Sequence, residues 1–492
     1  MKGTPREVPP EPTPRLDPTP IDATPAKKPS LLIPIVVACS FFMEQLDSTI
    51  ITTAIPAMAK SLGTEPVRLS LAITSYILSL AVFIPISGWF ADRFGSRRVF
   101  CAAIIVFTTG SALSGFAPTL PILVVTRVLQ GMGGAMLSPV GRLILLRSFP
   151  KEELARAMAY VAIPALIGPT VGPVLGGFIT TYFNWRWIFY VNIPVGCVGI
   201  ILALRYTEDF RATTQSRFDL RGFVIVGIGL ATLQFAFENV GRHVLPPTVI
   251  AVAFAAAAVA LSLYGWHAHG HPNPVLDLGL FRIRTFRIGT IAGGICRTGM
   301  NSVPFMLPLL FQLGFGLSAL HSGLLTFASA IGSITVRPMS STLLRLLGFR
   351  RLMFSNAIIV AFVMAGFTLL QPETPHWIVL GYVMIFGVVR TTQFNTSNML
   401  AYSEIPPSRL SRSTSLGSTM QQLSLGFGVS ISAALLDTVM PHGGVPTLHD
   451  FHIVFLTMAL VPLLAASGFL PLSETDGSEV SRHRVREAQP AR

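Results

Sequence analysis

The chain has 492 residues, 51% hydrophobic and only 12% charged, with 34 Phe against 8 Tyr, about half the charge of a soluble domain and the profile of a polytopic membrane protein. Its net charge of +13 lacks the basic cluster on a soluble domain that a nucleic-acid partner requires. Cys39, Cys101, Cys197 and Cys296 lie in apolar runs without CxxC spacing, so neither a zinc site nor a disulfide framework is indicated.

Residues 1–30 are rich in proline and charge and hold no apolar core of signal-peptide length, so they read as a disordered cytosolic tail. From Leu31 onward one unit recurs, an apolar run of about twenty residues followed by a short polar connector, each run long enough to cross a bilayer as a helix. Fourteen runs are expected, at 31–58, 69–90, 99–117, 119–145, 155–181, 186–204, 221–239, 247–266, 286–312, 319–344, 351–371, 376–400, 413–438 and 452–471. Basic connectors stay in the cytoplasm. With the N-terminus inside, only Lys60, Arg68, Arg186 and Arg242 fall outside, and Arg127, Arg142, Arg297, Arg337 and Arg390 fall within spans. That asymmetry explains the basic charge without an acidic partner, and it puts residues 472–492 in the cytoplasm as a second tail.

The first span carries Glu44 and Asp47 one turn apart, where lipid penalises them heavily. A rise of about 1.5 Å per residue puts Asp47 roughly 24 Å from the cytosolic end and Arg127 of span four roughly 9 Å from the external end. All three side chains therefore share a depth, and the arginine can pair with either acid. A guanidinium favours a carboxylate's charged form and desolvation disfavours it, so a motion that separates the two is a means of taking up and releasing a proton.

The connector "GWFADRFGSRR" (Gly88 to Arg98) uses glycine for tight reversal and arginines to stay in the cytosol, with Asp92 as acceptor. Arg142, near the cytosolic end of span four, is expected to reach Asp92 as a gate lock. "RVLQGMGGA" (Arg127 to Ala135) and "GPTVGPVLGG" (Gly168 to Gly177) supply small residues for close helix contact, and proline for bending. In the later spans, Arg390 with "TTQFNTSN" (Thr391 to Asn398) makes the most polar stretch. Gln130, Arg390, Gln393, Asn395 and Asn398 are expected to line a substrate cavity. Asp437 and Glu238 read as solvated span ends, and His267, His269 and His271 as a solvated loop without the acid or cysteine that would complete a metal site.

Together these residues resemble the major facilitator superfamily, and within it the fourteen-span drug:proton antiporter branch of EmrB/QacA type. Gly88, Asp92, Arg93, Gly95, Arg97 and Arg98 match its loop signature, and Arg127, Gln130, Gly131 and Gly133 its span-four motif. Gly168, Pro169, Gly172, Pro173, Gly176 and Gly177 match the antiporter motif. "LDSTIITTAIP" (Leu46 to Pro56) and "WRWIFYVNIPVG" (Trp185 to Gly196) are similar to its first-span and sixth-span stretches. The likeness covers residues 31 to 471. It implies an all-α fold of two six-helix bundles, 31–204 and 286–471, with two further spans in 205–285. An internal repeat agrees: "STLLRLLGFRR" (Ser341 to Arg351) aligns with the first loop 253 residues earlier, Gly348 on Gly95, with Arg345 where Asp92 stands.

The resemblance also implies alternating access about a midplane site. Protons bind at Asp47 or Glu44 with Arg127, and an amphiphilic, cationic or neutral compound is exported across a bacterial inner membrane. A functional monomer is implied, and a periplasmic adaptor is left open. Cofactors and metals are not expected, nor is an enzyme: no GxxxxGK[ST], HExxH or GxSxG occurs and the connectors are too short for a catalytic domain. Export of one specific metabolite, and a non-transporting sensor on the same fold, remain as alternatives.

Overall fold

The computed structural model describes residues 32–149, 167–168, 171–211, 218–240, 245–406, 409–440, 445–473 and 476–477. Among these the chain is helical without a strand, because each apolar run must satisfy its own backbone groups. The helical runs are α1 (Leu32–Leu62), α2 (Pro66–Phe94), α3 (Ser96–Phe116), α4 (Leu120–Ser148), α5 (171–182), α6 (Trp187–Tyr206), α7 (Leu220–Asn239) and α8 (Pro247–Gly270). There follow α9 (Arg284–Leu309), α10 (Ala319–Thr335), α11 (Arg337–Ala365), α12 (His376–Tyr402), α13 (Leu410–Val439) and α14 (Leu448–Ser467). Among the described residues eleven stretches are long and apolar enough to span a membrane, and α10 is a shorter apolar helix. The N-terminal tail, Pro169 and the first part of the expected 155–181 span lie outside the described residues.

One boundary differs from expectation. The run expected over 319–344 ends at Thr335, and a new helix starts at Arg337. Pro338 has no N–H to carry the helix ladder on from the preceding turn and is tolerated in the first turn of a helix, so one helix ends before Val336 and the next starts after it. Farther along α11 the helix breaks again at Gly348, whose φ of 69° matches in sign the φ of 100° at Gly95. The two aligned loop glycines thus serve one purpose, a conformation that side chains with a Cβ avoid.

Packing falls into two sets. In one, α3 and α2 lie along α4, and α1 lies against α4 and α6; in the other, α10 lies along α12, α9 along α13 and α14, and α11 along α12 and α14. The sets meet along α2 and α13, and α7 of the α7–α8 pair rests on both of those helices. A buried apolar cluster runs through both sets, and a second one around Val226, Leu230, Tyr264, Phe286 and Leu416 fastens the α7–α8 pair.

Two polar features correct the sequence reading. Glu238 is not a solvated end residue: it is 2% exposed, accepts from Ser70 of α2, and accepts from Ser430 of α13 at 2.5 Å. Hydroxyls from both sets replace the water it was expected to meet. His267 and His269 lie in the last turn of α8 rather than in a loop, and His267 Nε2 stands 2.8 Å from Asp219 Oδ1 at the start of α7. Among the described residues no group of His, Cys, Asp and Glu could hold a metal ion.

Candidate functional site

Glycines on α4 explain how an arginine comes to be buried there. A Cβ at Gly131 would lie 2.7 Å from the Tyr76 carbonyl oxygen, and one at Gly110 of α3 would lie 2.6 Å from the Gln130 nitrogen. Without side chains at these points α2, α3 and α4 close together, and Arg127 is fully enclosed at 0% exposure. Its Nε donates to the Ala72 carbonyl at 3.0 Å, and its guanidinium lies 4.2 Å from the centre of the Tyr76 ring.

Arg127 also bonds to Asp47 and Gln130. Nη1 donates to Asp47 Oδ2 at 2.5 Å and to Gln130 Oε1 at 2.8 Å. Asp47 Oδ1 accepts from Gln130 Nε2 at 2.8 Å and from Asn192 Nδ2 at 3.2 Å. Asn192 is held in turn, since its Nδ2 also donates to Ser111 Oγ at 3.0 Å. The carboxylate, 1% exposed, is therefore gripped from α4 and α6 at once. A buried charge is tolerated when it is paired and its lone pairs are filled. Gln130, expected in the substrate cavity, is completely buried in this network. Its amide is used up bridging the two charges.

Glu44 sits one turn earlier in α1, apart from the ion pair. It is 8% exposed and accepts a short hydrogen bond from Ser138 of α4. Arg142, one turn beyond Ser138, lies over the Phe41 ring at 5.6 Å, on the same side of α1 as Glu44. This corrects the expected Arg142–Asp92 lock. Asp92 pairs instead with Arg147, Nη2 to Oδ1 at 3.1 Å, because five residues turn a helix by about 140° and only Arg147 faces α2.

The loop residues gather on an acid that the sequence reading did not single out. Asp209, just after α6, accepts from the Arg97 backbone N–H at 3.2 Å and lies 3.6 Å from Arg98 Nε and 3.7 Å from Arg211 Nη2. Its carboxylate fills the space where a Cβ at Gly95 would stand. Gly88, by contrast, makes no reversal: it is exposed inside the Ser87–Phe94 helix with open space around it. Arg93 is likewise exposed.

The span-five glycines face two ways. A Cβ at Gly168 would lie 2.9 Å from Gln45 Cβ, while Gly172 and Gly176 press on Thr49 and Ile50 of α1. Gly177 presses on Ala319 of α10, and the Pro173 carbonyl on Gly323. The sets thereby touch at the end away from Gly95, where Gln312 Nε2 donates to the Thr53 carbonyl at 3.1 Å and the Leu320 N–H to Thr181 Oγ1 at 3.2 Å.

In the second set, Gln393 is 1% exposed, with its carbonyl taken by Asn356 of α11 at 2.9 Å, so it packs inside the set rather than lining an opening. Arg390 Nη2 donates to Asn301 Oδ1 at 3.3 Å. Asn398 Oδ1 accepts from Arg297 Nη2 at 3.2 Å and Gln421 Nε2 at 2.9 Å. Asn395 is half-buried.

Many long apolar helices packed in two sets, with one acid–guanidinium pair walled in at their interior, define a multi-pass membrane protein of the transporter type. Residues 37–429 match the family model "Major Facilitator Superfamily", and the chain belongs to that superfamily. It is 39% identical over 438 residues to a protein of Serratia proteamaculans (strain 568) named "Putative multidrug resistance protein MdtD", covering 88% of this chain and 92% of that one. The protein of the same name from Yersinia enterocolitica is 40% identical with the same coverage. Among solved structures, a D-xylose-proton symporter superposes with a TM-score of 0.64 at 15% identity, covering 91% of this chain and 98% of that one.

Proposed function

We propose that the protein is a proton-coupled exporter of small amphiphilic compounds, working by alternating access as a multidrug antiporter. The observation that carries this reading is the Asp47 carboxylate, enclosed by Arg127, Gln130 and Asn192 from two other helices. Exchange between access states shifts α1 against α4 and α6 within the first set, and so changes the competition between Arg127 and a proton for Asp47. Glu44, on the same helix and bonded to a hydroxyl rather than a cation, is the second proton acceptor. The relatives named for multidrug resistance support efflux as the direction of transport.

In this reading all fourteen runs cross the membrane, as bundles 31–204 and 286–471 with the α7–α8 pair in 205–285 inserted between them. The basic loops support a cytoplasmic location for both termini, in a bacterial inner membrane. The contacts of Gly177 and Gln312 then close the external side, and the Gly95–Asp209 junction braces the cytoplasmic one. The working unit is a monomer moving protons and a small molecule, without catalysis.

Everted vesicles test this. An imposed pH gradient should drive uptake of a fluorescent amphiphile in the native protein and in Cys39→Ala, and fail to do so in Asp47→Asn that reaches the membrane in normal amount. Gradient-driven uptake by Asp47→Asn at the native rate would end the assignment, and no such flux from the native protein would favour a sensor.

A further inference from the structure

From the charge distribution of the second helix set we infer that the transported compound carries a carboxylate or similar oxyanion, bound by Arg297 of α9 and Arg390 of α12. The inference rests on the transport reading and names its substrate class. It departs from the cationic or neutral cargo that the family resemblance implies.

Helices α9, α10, α11 and α12 contain no Asp or Glu, and α13 and α14 carry one each, Asp437 and Asp450, at the terminus away from the Arg297 level. Arg297 lies 13 residues into α9 and Arg390 14 residues into α12, so each is roughly 20 Å from its helix start and near the middle of a bilayer core about 30 Å thick. The ion pairs among the described residues include Arg127 but neither of these two. The first set neutralises its buried guanidinium with Asp47; the second set holds two without a counter-charge. An uncompensated cation at this depth is costly enough to mark a ligand pathway.

Hydrogen-bond valence points the same way. The amide oxygens that meet the two arginines are already occupied: Asn301 Oδ1 by Arg390, and Asn398 Oδ1 by both Arg297 and Gln421. These amides act as struts that aim the guanidinium groups. Arg297 is 4% exposed, and its Nε has no partner among the described residues, nor has the buried Ser397 Oγ. The Arg297 guanidinium and the Ser397 hydroxyl both border Gly293, with Nη2 at 3.8 Å and Oγ at 3.0 Å from where a Cβ there would stand. Asn301, which holds Arg390, is one turn along α9 from Arg297, so the two cations bracket a short stretch of one helix face. A guanidinium with spare N–H groups binds a planar carboxylate in two-point fashion. Phe394, 37% exposed with Arg297 at 4.9 Å from its ring, offers the apolar surface beside them.

An anion also suits the energetics of export. The inside-negative potential drives anions outward and protons inward, so both legs of the exchange run with the field.

The test uses the purified full chain in detergent and three matched probes: 1-naphthoate, its methyl ester and 1-naphthylmethylamine. Thermal shift and calorimetric titration should show naphthoate binding at least tenfold more tightly than the other two. Arg297→Gln and Arg390→Gln should each remove that preference, and the charge-keeping Arg297→Lys and Arg390→Lys should retain part of it, which covers the case of a Gln variant that folds poorly. Equal binding of the amine or the ester, or naphthoate binding untouched in both Gln variants, would overturn the inference. A cationic dye that the pH gradient still moves in a protein indifferent to naphthoate would leave the transport reading standing without the anion site.

Discussion

Replacing Asp47 by Asn separates the structural cost of the buried pair from its use. Asn has the same shape, so its oxygen still accepts from Gln130 and Asn192, but Arg127, 2.5 Å from Oδ2 and 0% exposed, loses its counter-charge. Removing one member of a buried pair costs about 3–5 kcal/mol, and retention of the neighbouring amides puts Asp47→Asn near the low end, about 3 kcal/mol. Arg127→Gln strands the carboxylate and should cost a similar amount. The double variant strands neither charge, so it should cost no more than either single change, a coupling of about 3 kcal/mol. Unfolding by SDS titration in mixed micelles measures all four proteins, and pH-driven uptake in liposomes follows their activity. The double variant should be no less stable than either single variant and stay inactive. Additivity of the two costs within about 0.5 kcal/mol would show that the pair does not interact, and uptake by the double variant at the native rate would show that it does not couple.

Asn192→Ala removes one donor to Asp47 and should lower stability by about 1 kcal/mol, with a larger fractional loss of uptake than of stability; the reverse ranking would mark Asn192 as packing only. Gly95→Ala combines a φ of 100° with overlap on Asp209, so about 1–3 kcal/mol should be lost, while the exposed helical Gly88→Ala should leave the melting temperature within error. For Asp219, burial raises the carboxyl's affinity for protons, but the Gly222 N–H and His267 outweigh it and hold the group below its ordinary value of 3.8. A depressed folded-state value means stability that is present above pH about 4 and is lost as pH falls through the folded-state value. Melts from pH 7 to pH 3 should therefore show a smaller acid-induced loss in Asp219→Asn than in the native chain, and equal losses would exclude the linkage.

The pairing of Asp47 with Arg127 was legible because helical rise converts sequence position into depth, and only a few ionisable groups share that depth. The glycine series in α4 and span five was legible for a similar reason, since small residues at helical spacing have few uses but contact. Rotation about the helix was harder to read. Arg142 and Arg147 both suit Asp92 by depth, and their facing depends on a register that apolar periodicity leaves loose when every side of a helix is apolar. Asn192 lies within the Trp185 to Gly196 stretch, where a lone amide in an apolar span is the available signal that it serves a buried charge. Asp209 gave less notice, being one acid among connector residues; its role depends on the junction between α2 and α3 lying beside the end of α6. In the second set the polar run after Arg390 is legible by itself, whereas the lack of an acid on α9 to α12 shows only when the four helices are taken together.

The α7–α8 pair raises one more question, whether it is cargo to the two sets or joined to their motion. Glu238 answers through its two oxygens: Oε1 accepts from Ser70 of α2 and Oε2 from Ser430 of α13, while Gln234, one turn earlier, donates to Ser430 at 2.5 Å. One residue of the inserted pair is thus bonded to each of the helices along which the sets meet. Hydrogen bonds to a charged group contribute about 1.5–3 kcal/mol each, so Glu238→Leu, which removes the acceptor for both hydroxyls, should cost about 3 kcal/mol or more. Glu238→Gln should cost far less, because its oxygen serves one hydroxyl and its NH2 donates to the other. If the pair rides passively on the seam, both substitutions will lower stability in that order and leave the rate of uptake per folded molecule unchanged. If α7 is bonded into the moving parts, Glu238→Gln will alter the uptake rate although its stability stays close to native.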